Sequence, residues 1–391
     1  MGKEAITHAV GEVLKYARDG GTYQSDRITE VPYSTYLDPE QWQKEMDLIF
    51  LKVPLALAAS AEMPNPGDYK AMEAVGKPVL ITRDKDGKVH AFLNVCGHRG
   101  APLAQEGCGH KNRFSCRYHG WTYSNDGKLM GVSEADTFGQ IDKENRALRA
   151  LPCEERNGLI FVILTPGEKM DLDGFFQGML DDFGRHNFKD WAYLGSRVVE
   201  GANWKIAFDG YLEGYHFASL HPETIHPRTF NNKTHYEAFG PHLRIAFPQV
   251  AIEDKLKGVD PATCDEIENH GYDFVRIFFP NVSIFLAPEI TSFSQLFPGP
   301  TPDKNKTVIM FFRKDPPKDA EDAAGLDAMM DWLYQVVRDE DYEVGQQIQR
   351  GLESGAFESI ILGKNERGNQ FFHEYLQWYL NNDKSAPKPK L

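Results

Sequence analysis

The chain has 391 residues, 41% hydrophobic and 26% charged, a composition that suits a globular enzyme with a sizeable core. Its formal charge of −14 excludes the basic footprint that nucleic-acid phosphates require. Five cysteines, sparse and odd in number, point to a reducing compartment and not to a disulfide framework.

The opening stretch MGKEAITHAVGEVLKYARDGG lacks the apolar core of a signal peptide, and Ile6 stands where a myristoylation site needs Ser or Thr. No apolar run approaches the ~20 residues of a membrane helix, so a cytoplasmic protein is expected. Residues 37–54 read as a helix running into a strand. From there to about Pro166 the text is mostly β, with hairpins marked by Asp-Lys-Asp-Gly (84–87), Asn-Asp-Gly (125–127) and Asn-Gly (157–158). The texture changes near residue 167. A helical stretch (171–186) is followed by a helix-rich stretch over 204–220. Strand-like runs come next: HLRIAFPQVAI, YDFVRIFFPNVSIFLAP, TSFSQLFPG and KTVIMFFRK. A long amphipathic helix is expected over roughly 320–352, another near 370–380, and a polar, Pro-rich, disordered tail after that.

Two short knots at the ends of hairpins carry metal-ligand residues, Cys96-x-His98 and Cys116-x-x-His119. A zinc finger puts two Cys on one knot and two His on the other. Here each knot holds one of each, so two converging loops would offer a Cys pair to one metal and a His pair to a second. That is the requirement of a Rieske [2Fe–2S] centre. A zinc ribbon fits the order less well. Cys108 and His110, between the knots, read as non-ligating, and Cys153 and Cys264 as small buried hydrophobes.

A second constellation lies in NWKIAFDGYLEGYHFASLHPE (203–223). Five helical steps rotate ~140° too far to align His216 with His221, but Pro222 disfavours helix at the residue before it, so His221 can swing off the helix end. Glu213, three residues before His216, can hold the far nitrogen of that imidazole. Two neutral imidazoles and a carboxylate with open positions suit non-heme Fe(II) and O2. The plainer alternative is a pair of satisfied core histidines beside a surface glutamate. His226 and His235 lie close enough in sequence to compete, without the Glu spacing.

With both constellations in place, the chain resembles the Rieske non-heme iron oxygenases, specifically their catalytic alpha subunits. The resemblance runs from the helix near Trp42 to the helix ending near Leu352. It implies that Cys96, His98, Cys116 and His119 bind the [2Fe–2S] cluster, and it covers Asn203-Trp204-Lys205 and the Glu213, His216, His221 run. The third ligand of the mononuclear Fe(II) in such proteins is an Asp on a late helix. Counting back from Gln349-Arg350-Gly351 favours Asp341, with Asp339 and Glu340 as competitors and a solvated acidic helix face as the plain alternative. Asp209 stands where the family often has Asn, and it joins Glu213 among the residues expected to act in catalysis. The implied fold is α+β: a β-sandwich Rieske domain (46–166) and a catalytic domain (167–380) with a large antiparallel sheet covered by helices. Residues 1–45 would pack on the catalytic domain, and 381–391 would form the tail.

No Gly-x-Gly-x-x-Gly and no plant-type ferredoxin spacing occurs, so electrons are expected from a separate reductase or ferredoxin, ultimately from NAD(P)H. The resemblance implies electron passage through Glu213 to the iron of a neighbouring subunit, hence a homotrimer, with or without a small beta subunit. The expected activity is hydroxylation of an organic, aromatic substrate with O2. One alternative is a monooxygenase or demethylase acting on methoxy, N-methyl or quaternary ammonium groups. Others are a Rieske electron carrier without oxygenase activity, and a structural zinc protein. Arg244 and Arg276 could meet a substrate carboxylate, but an arginine in a strand more often faces solvent or an internal acid.

Overall fold

The computed structural model describes residues 2–267, 270–383 and 385–391. It divides into two compact units: Phe50–Phe175 with Phe183–Asp190, and Met1–Ile49 with Phe176–Asp182 and Trp191–Leu391. No described helix is long and apolar enough to cross a membrane.

The smaller unit is built from three antiparallel sheets. The largest has five strands in the order Ala150–Leu151, Val89–Leu93, Lys77–Arg83, Asp68–Ala74, Gly107–His110. The hairpin expected at Asp84–Gly87 joins two of them. Asp84 accepts from the backbone N–H of Asp86 and Lys88, and Gly87 takes φ 81°, the left-handed conformation this turn needs. A three-stranded sheet of Arg113–Ser115, Thr122–Ser124 and Leu129–Gly131 packs its inward residues Phe114, Tyr123 and Leu129 with Leu80, Phe92 and Trp121. Cys96 and Cys116 belong to that same core, so the two knots are rooted in its packing.

The larger unit carries a seven-stranded antiparallel sheet. Its order is Ala192–Gly201, Asn305–Arg313, Thr291–Pro298, Val282–Leu286, Tyr272–Phe278, His242–Pro248, His235–Phe239. The five inner strands were legible as four strand-like runs, one of which holds both Tyr272–Phe278 and Val282–Leu286; the two edge strands were not. Helix Gly2–Asp19 was not anticipated either. It buries Ile6, Ala9, Val10 and Val13, the i, i+3, i+4, i+7 stripe of an amphipathic helix, against Ala246, Tyr272 and Phe274. The long late helix is present but interrupted: Ala320–Val336 and Glu343–Glu353 are joined by a π-helical turn, Val337–Tyr342. Helix Arg367–Leu380 follows, and the last residues lie against it, with Trp378 Nε1 donating to Ala386 O and Arg367 to Lys390 O.

Two groups of buried charge in the larger unit are neutralised by ion pairs. Arg244 and Arg276 face each other on adjacent strands, both fully buried, and both donate to Asp182 Oδ2 at 3.0 and 2.6 Å. Glu266 and Glu237 complete the cluster, so these arginines meet internal acids. The second group anchors helix Trp204–Asp209. Lys205 Nζ donates to both oxygens of Glu45 at 2.7 and 2.6 Å, and Trp204 Nε1 donates to Oε2 at 3.0 Å. Burial pulls the Lys205 pKa below its ordinary value, and the Glu45 charge opposes that pull.

Removing one partner would strand the other charge in the core, which costs about 3–5 kcal/mol. Lys205→Met is therefore expected to lower the unfolding midpoint sharply, and adding Glu45→Gln should restore part of it. An unchanged midpoint in Lys205→Met would refute the anchoring role.

Candidate metal centres

The two knots fold into turns of one design. In the first, Cys96 N donates to Ala101 O at 2.9 Å and Gly100 N to Cys96 O at 3.0 Å. In the second, Cys116 N donates to Trp121 O and Gly120 N to Cys116 O, both at 2.8 Å. Each turn thus closes on a glycine four residues after the cysteine, and Gly100 and Gly120 take φ 80° and 67°. The cysteines stay buried, at 2% and 4% exposure, while His98 and His119 reach a shared site nearer the surface. The two imidazole centroids are 4.6 Å apart.

Their surroundings hold these side chains in place. Trp121 stacks on His98 at 4.9 Å, and Phe138 meets its edge at 5.4 Å. Tyr123 Oη accepts from Gly97 N at 2.9 Å and lies 3.5 Å from Cys96 Sγ. Burial, reinforced by the positive neighbours His119, Arg99 and Arg146, lowers the His98 pKa. His98 Nδ1 is buried with no hydrogen-bond partner in the chain. An orphaned imidazole nitrogen beside a second imidazole and two buried thiols is a donor set that fits a two-iron cluster ligated by Cys on one side and His on the other. Cys108 is exposed and His110 pairs with Asp68 at 3.0 Å, so neither joins the knots. Cys264 is buried in a core cluster; Cys153 is half-buried, and burial pushes its thiol up to about 12.

The second centre lies in the larger unit. The helix expected over 204–220 is in fact two short ones, Trp204–Asp209 and Phe217–Leu220, with a loop between. Glu213 is in that loop, so it reaches His216 through a turn and not along a helix face. Its Oε2 accepts from the backbone N–H of Tyr215 and His216, and its Oε1 bonds His216 Nδ1. His221 caps the end of the second helix with φ −115° and ψ 43°, off the helical path as Pro222 demands.

Asp341 closes the site from the π-helical turn. Its Oδ1 is 3.1 Å from His221 Nε2 and 3.7 Å from His216 Nε2. Ligand atoms of His216, His221 and Asp341 all lie within 4.8 Å of one another, the one such cluster of metal-ligating side chains found among the described residues. The two rival acids have other partners. Asp339 is exposed and paired with Arg338 at 2.5 Å. Glu340 Oε2 is 2.5 Å from His221 Nδ1 and accepts from Thr224 Oγ1 at 2.8 Å. Burial opposes a charge on His221, but Asp341 and then Glu340 outweigh it, and its pKa is raised. Two imidazoles with one carboxylate are a donor set that fits Fe(II).

Sequence reasoning treated Glu340 as a competitor of Asp341, not as its complement, and did not single out Thr224. Only the pairing across the fold identifies both. His226 and His235 are outside the cluster; His235 packs against His8 and Tyr23. Asp209 is not part of the His216, His221 and Asp341 cluster. It accepts from Tyr36 Oη at 2.7 Å, lies 3.0 Å from His373 Nε2, and receives Asn369 Nδ2 on its backbone oxygen at 2.9 Å.

Comparisons with known proteins match both parts of the chain. The family described as ring hydroxylating alpha subunit (catalytic domain) matches residues 188–382, and the Rieske [2Fe-2S] domain matches residues 53–143. The oxygenase subunit of carnitine monooxygenase from Acinetobacter baumannii is 28% identical over 337 residues, 83% of this chain and 86% of that one. The oxygenase subunit of glycine betaine monooxygenase from Chromohalobacter salexigens is 31% identical over 224 residues, 56% of this chain and 50% of that one. The solved quaternary ammonium Rieske monooxygenase CntA in complex with L-carnitine has the same fold, with a TM-score of 0.77 at 23% identity over 90% of this chain and 95% of that one. The chain belongs to the Rieske non-heme iron oxygenases: it is the alpha subunit of a terminal oxygenase that uses a [2Fe–2S] cluster, a mononuclear iron and electrons from a separate reductase.

Proposed function

We propose that this oxygenase is a monooxygenase of quaternary ammonium compounds. The observation that carries the reading is the relationship to carnitine monooxygenase oxygenase subunits over more than four-fifths of the chain. It takes the place of the aromatic substrate expected from the sequence. The site's own charge supports it, since Glu213, Glu340 and Asp341 gather three carboxylates beside two imidazoles. Phe217, whose ring centroid is 5.0 Å from that of His216 and 5.5 Å from that of Phe247, adds an aromatic face of the kind that receives a cationic headgroup.

In this reading Cys96, Cys116, His98 and His119 hold the cluster, and His216, His221 and Asp341 hold the iron. When bound, the cluster supplies single electrons and the iron supplies the centre at which O2 is activated. The chain's own residues do the rest. Glu213 accepts the Nδ1 proton of His216 and so leaves Nε2 free to ligate. It is also our candidate for the link to a cluster histidine of a neighbouring copy, which makes a homotrimer the working assembly, with or without a beta subunit. Asp209, held by Tyr36 and His373, acts as a positioning residue at the start of the loop that carries Glu213. Free cysteines throughout suit a cytoplasmic location. Inserting one oxygen atom into a C–H bond next to the nitrogen gives a carbinol. That carbinol collapses to a carbonyl compound and a tertiary amine, while the second oxygen leaves as water with two electrons and two protons.

Three measurements test this. L-carnitine, glycine betaine and benzoate should be supplied separately with O2, NADH and a reductase. One of the two ammonium substrates is expected to release a tertiary amine in step with O2 uptake; a cis-diol from benzoate alone would overturn the substrate class. Metal analysis and paramagnetic resonance on variants check the ligands. His98→Ala and His119→Ala should lose the Rieske signal. His216→Ala, His221→Ala and Asp341→Ala should keep that signal and lose the mononuclear iron, and Asp339→Ala should keep both. Glu213→Gln should load both metals yet reoxidise its reduced cluster at least tenfold more slowly in a single turnover. Normal reoxidation with normal product yield would reduce Glu213 to a local support.

A further inference from the structure

Two consecutive side chains approach opposite nitrogens of one buried imidazole. Glu340 Oε2 is 2.5 Å from His221 Nδ1, and Asp341 Oδ1 is 3.1 Å from His221 Nε2. In a regular α-helix neighbouring side chains diverge by ~100°, so two successive carboxylates rarely share a target. Here they sit in the π-helical turn Val337–Tyr342, and the imidazole lies between them. The extra methylene of glutamate lets residue 340 reach round to the far nitrogen, while the shorter aspartate stops at the near one. Thr224, three residues beyond His221, donates its hydroxyl to the same Oε2 at 2.8 Å, so the carboxylate is itself fixed. His221 is 3% exposed at its side chain, which leaves little room for water to replace that bond.

We propose that Glu340 is a positioning residue for the iron: it holds the Nδ1 proton of His221, with Thr224 orienting it, so that Nε2 is left unprotonated to ligate the metal together with Asp341. A carboxylate at Nδ1 fixes the tautomer and raises the basicity of the opposite nitrogen. The role parallels that of Glu213 on His216, but it comes from a different part of the chain. Each histidine of the centre then has its own anionic partner. The inference rests on the reading that His216, His221 and Asp341 hold the iron.

The experiment measures Fe(II) affinity by chelator competition, together with the paramagnetic resonance spectrum of the nitric oxide adduct, on the full chain with its cluster in place. Melting temperature and the visible spectrum of the cluster check the fold. Glu340→Ala should weaken Fe(II) binding by about 10- to 100-fold and alter the symmetry of the nitrosyl spectrum. Glu340→Gln can still accept the Nδ1 proton through its amide oxygen, so it should keep a native nitrosyl spectrum with an intermediate affinity. Thr224→Val removes only the orienting hydroxyl and should lose a few-fold; it provides the answer if Glu340→Ala does not fold. Fe(II) affinity within twofold of the native protein in both Glu340→Ala and Thr224→Val would overturn the proposal. His221→Ala separates the two readings. If it keeps its iron, the ligand assignment itself is wrong; if it loses iron while Glu340→Ala does not, only the role of Glu340 fails.

Discussion

The constraint on which the catalytic unit depends is that an imidazole must give up one nitrogen to a hydrogen bond before it can present the other to a metal. A neutral histidine has one N–H and one lone pair, and which nitrogen carries which is set by its partner. Both histidines of the centre have Nδ1 against a carboxylate, Glu213 for His216 and Glu340 for His221. Once those two bonds are in place, the two Nε2 atoms can only face each other and Asp341. The surrounding architecture serves this alignment. The loop after Asp209 exists to turn Glu213 back on His216, and the π-helical turn brings two acids to one ring.

Such a gathering of charge needs a rigid base, and the fold provides one through buried ion pairs. Glu45 grips Lys205 and Trp204 at the start of the helix that leads into the site loop. On two adjacent strands of the sheet, Arg244 and Arg276 are fixed by Asp182, Glu237 and Glu266. Buried ions are poor sources of net stability, because desolvation consumes most of their attraction. Their worth here is directional: each pair admits one geometry, and a one-residue slip on either strand would leave a bare charge in the core.

The cluster knots were legible in the sequence because their structure is local. Each turn closes on a glycine four residues after its cysteine, and that spacing can be read directly from the chain. Glu213, His216 and His221 were legible as residue types at telling intervals, yet their geometry was not: a helix was expected where the chain makes a loop. The missed strands, Ala192–Gly201 and His235–Phe239, are the two edges of the seven-stranded sheet. Edge strands carry polar residues that blunt pairing with other chains, which erases the apolar pattern that marks inner strands. Glu340 and Thr224 meet across 116 residues, and no local rule connects them. Arg244 and Arg276 could be assigned to acids only once the register set them opposite each other.

The π-helical turn also bears on how this protein could change. A turn of that kind holds one residue more than an α-helix of the same length, so the long helix carries a spare amino acid at the point where it meets the metal. Deleting one residue from 337–342 would let regular helical hydrogen bonding run from Ala320 to Glu353 without interruption. The helix would improve as a helix, and every side chain beyond the deletion would be rotated by about a quarter-turn or more. Asp341 and Glu340 would no longer bracket His221. Selection for stability alone would favour that deletion, and selection for a working centre would oppose it. The irregularity is a place where the two pressures act on a single codon in opposite directions.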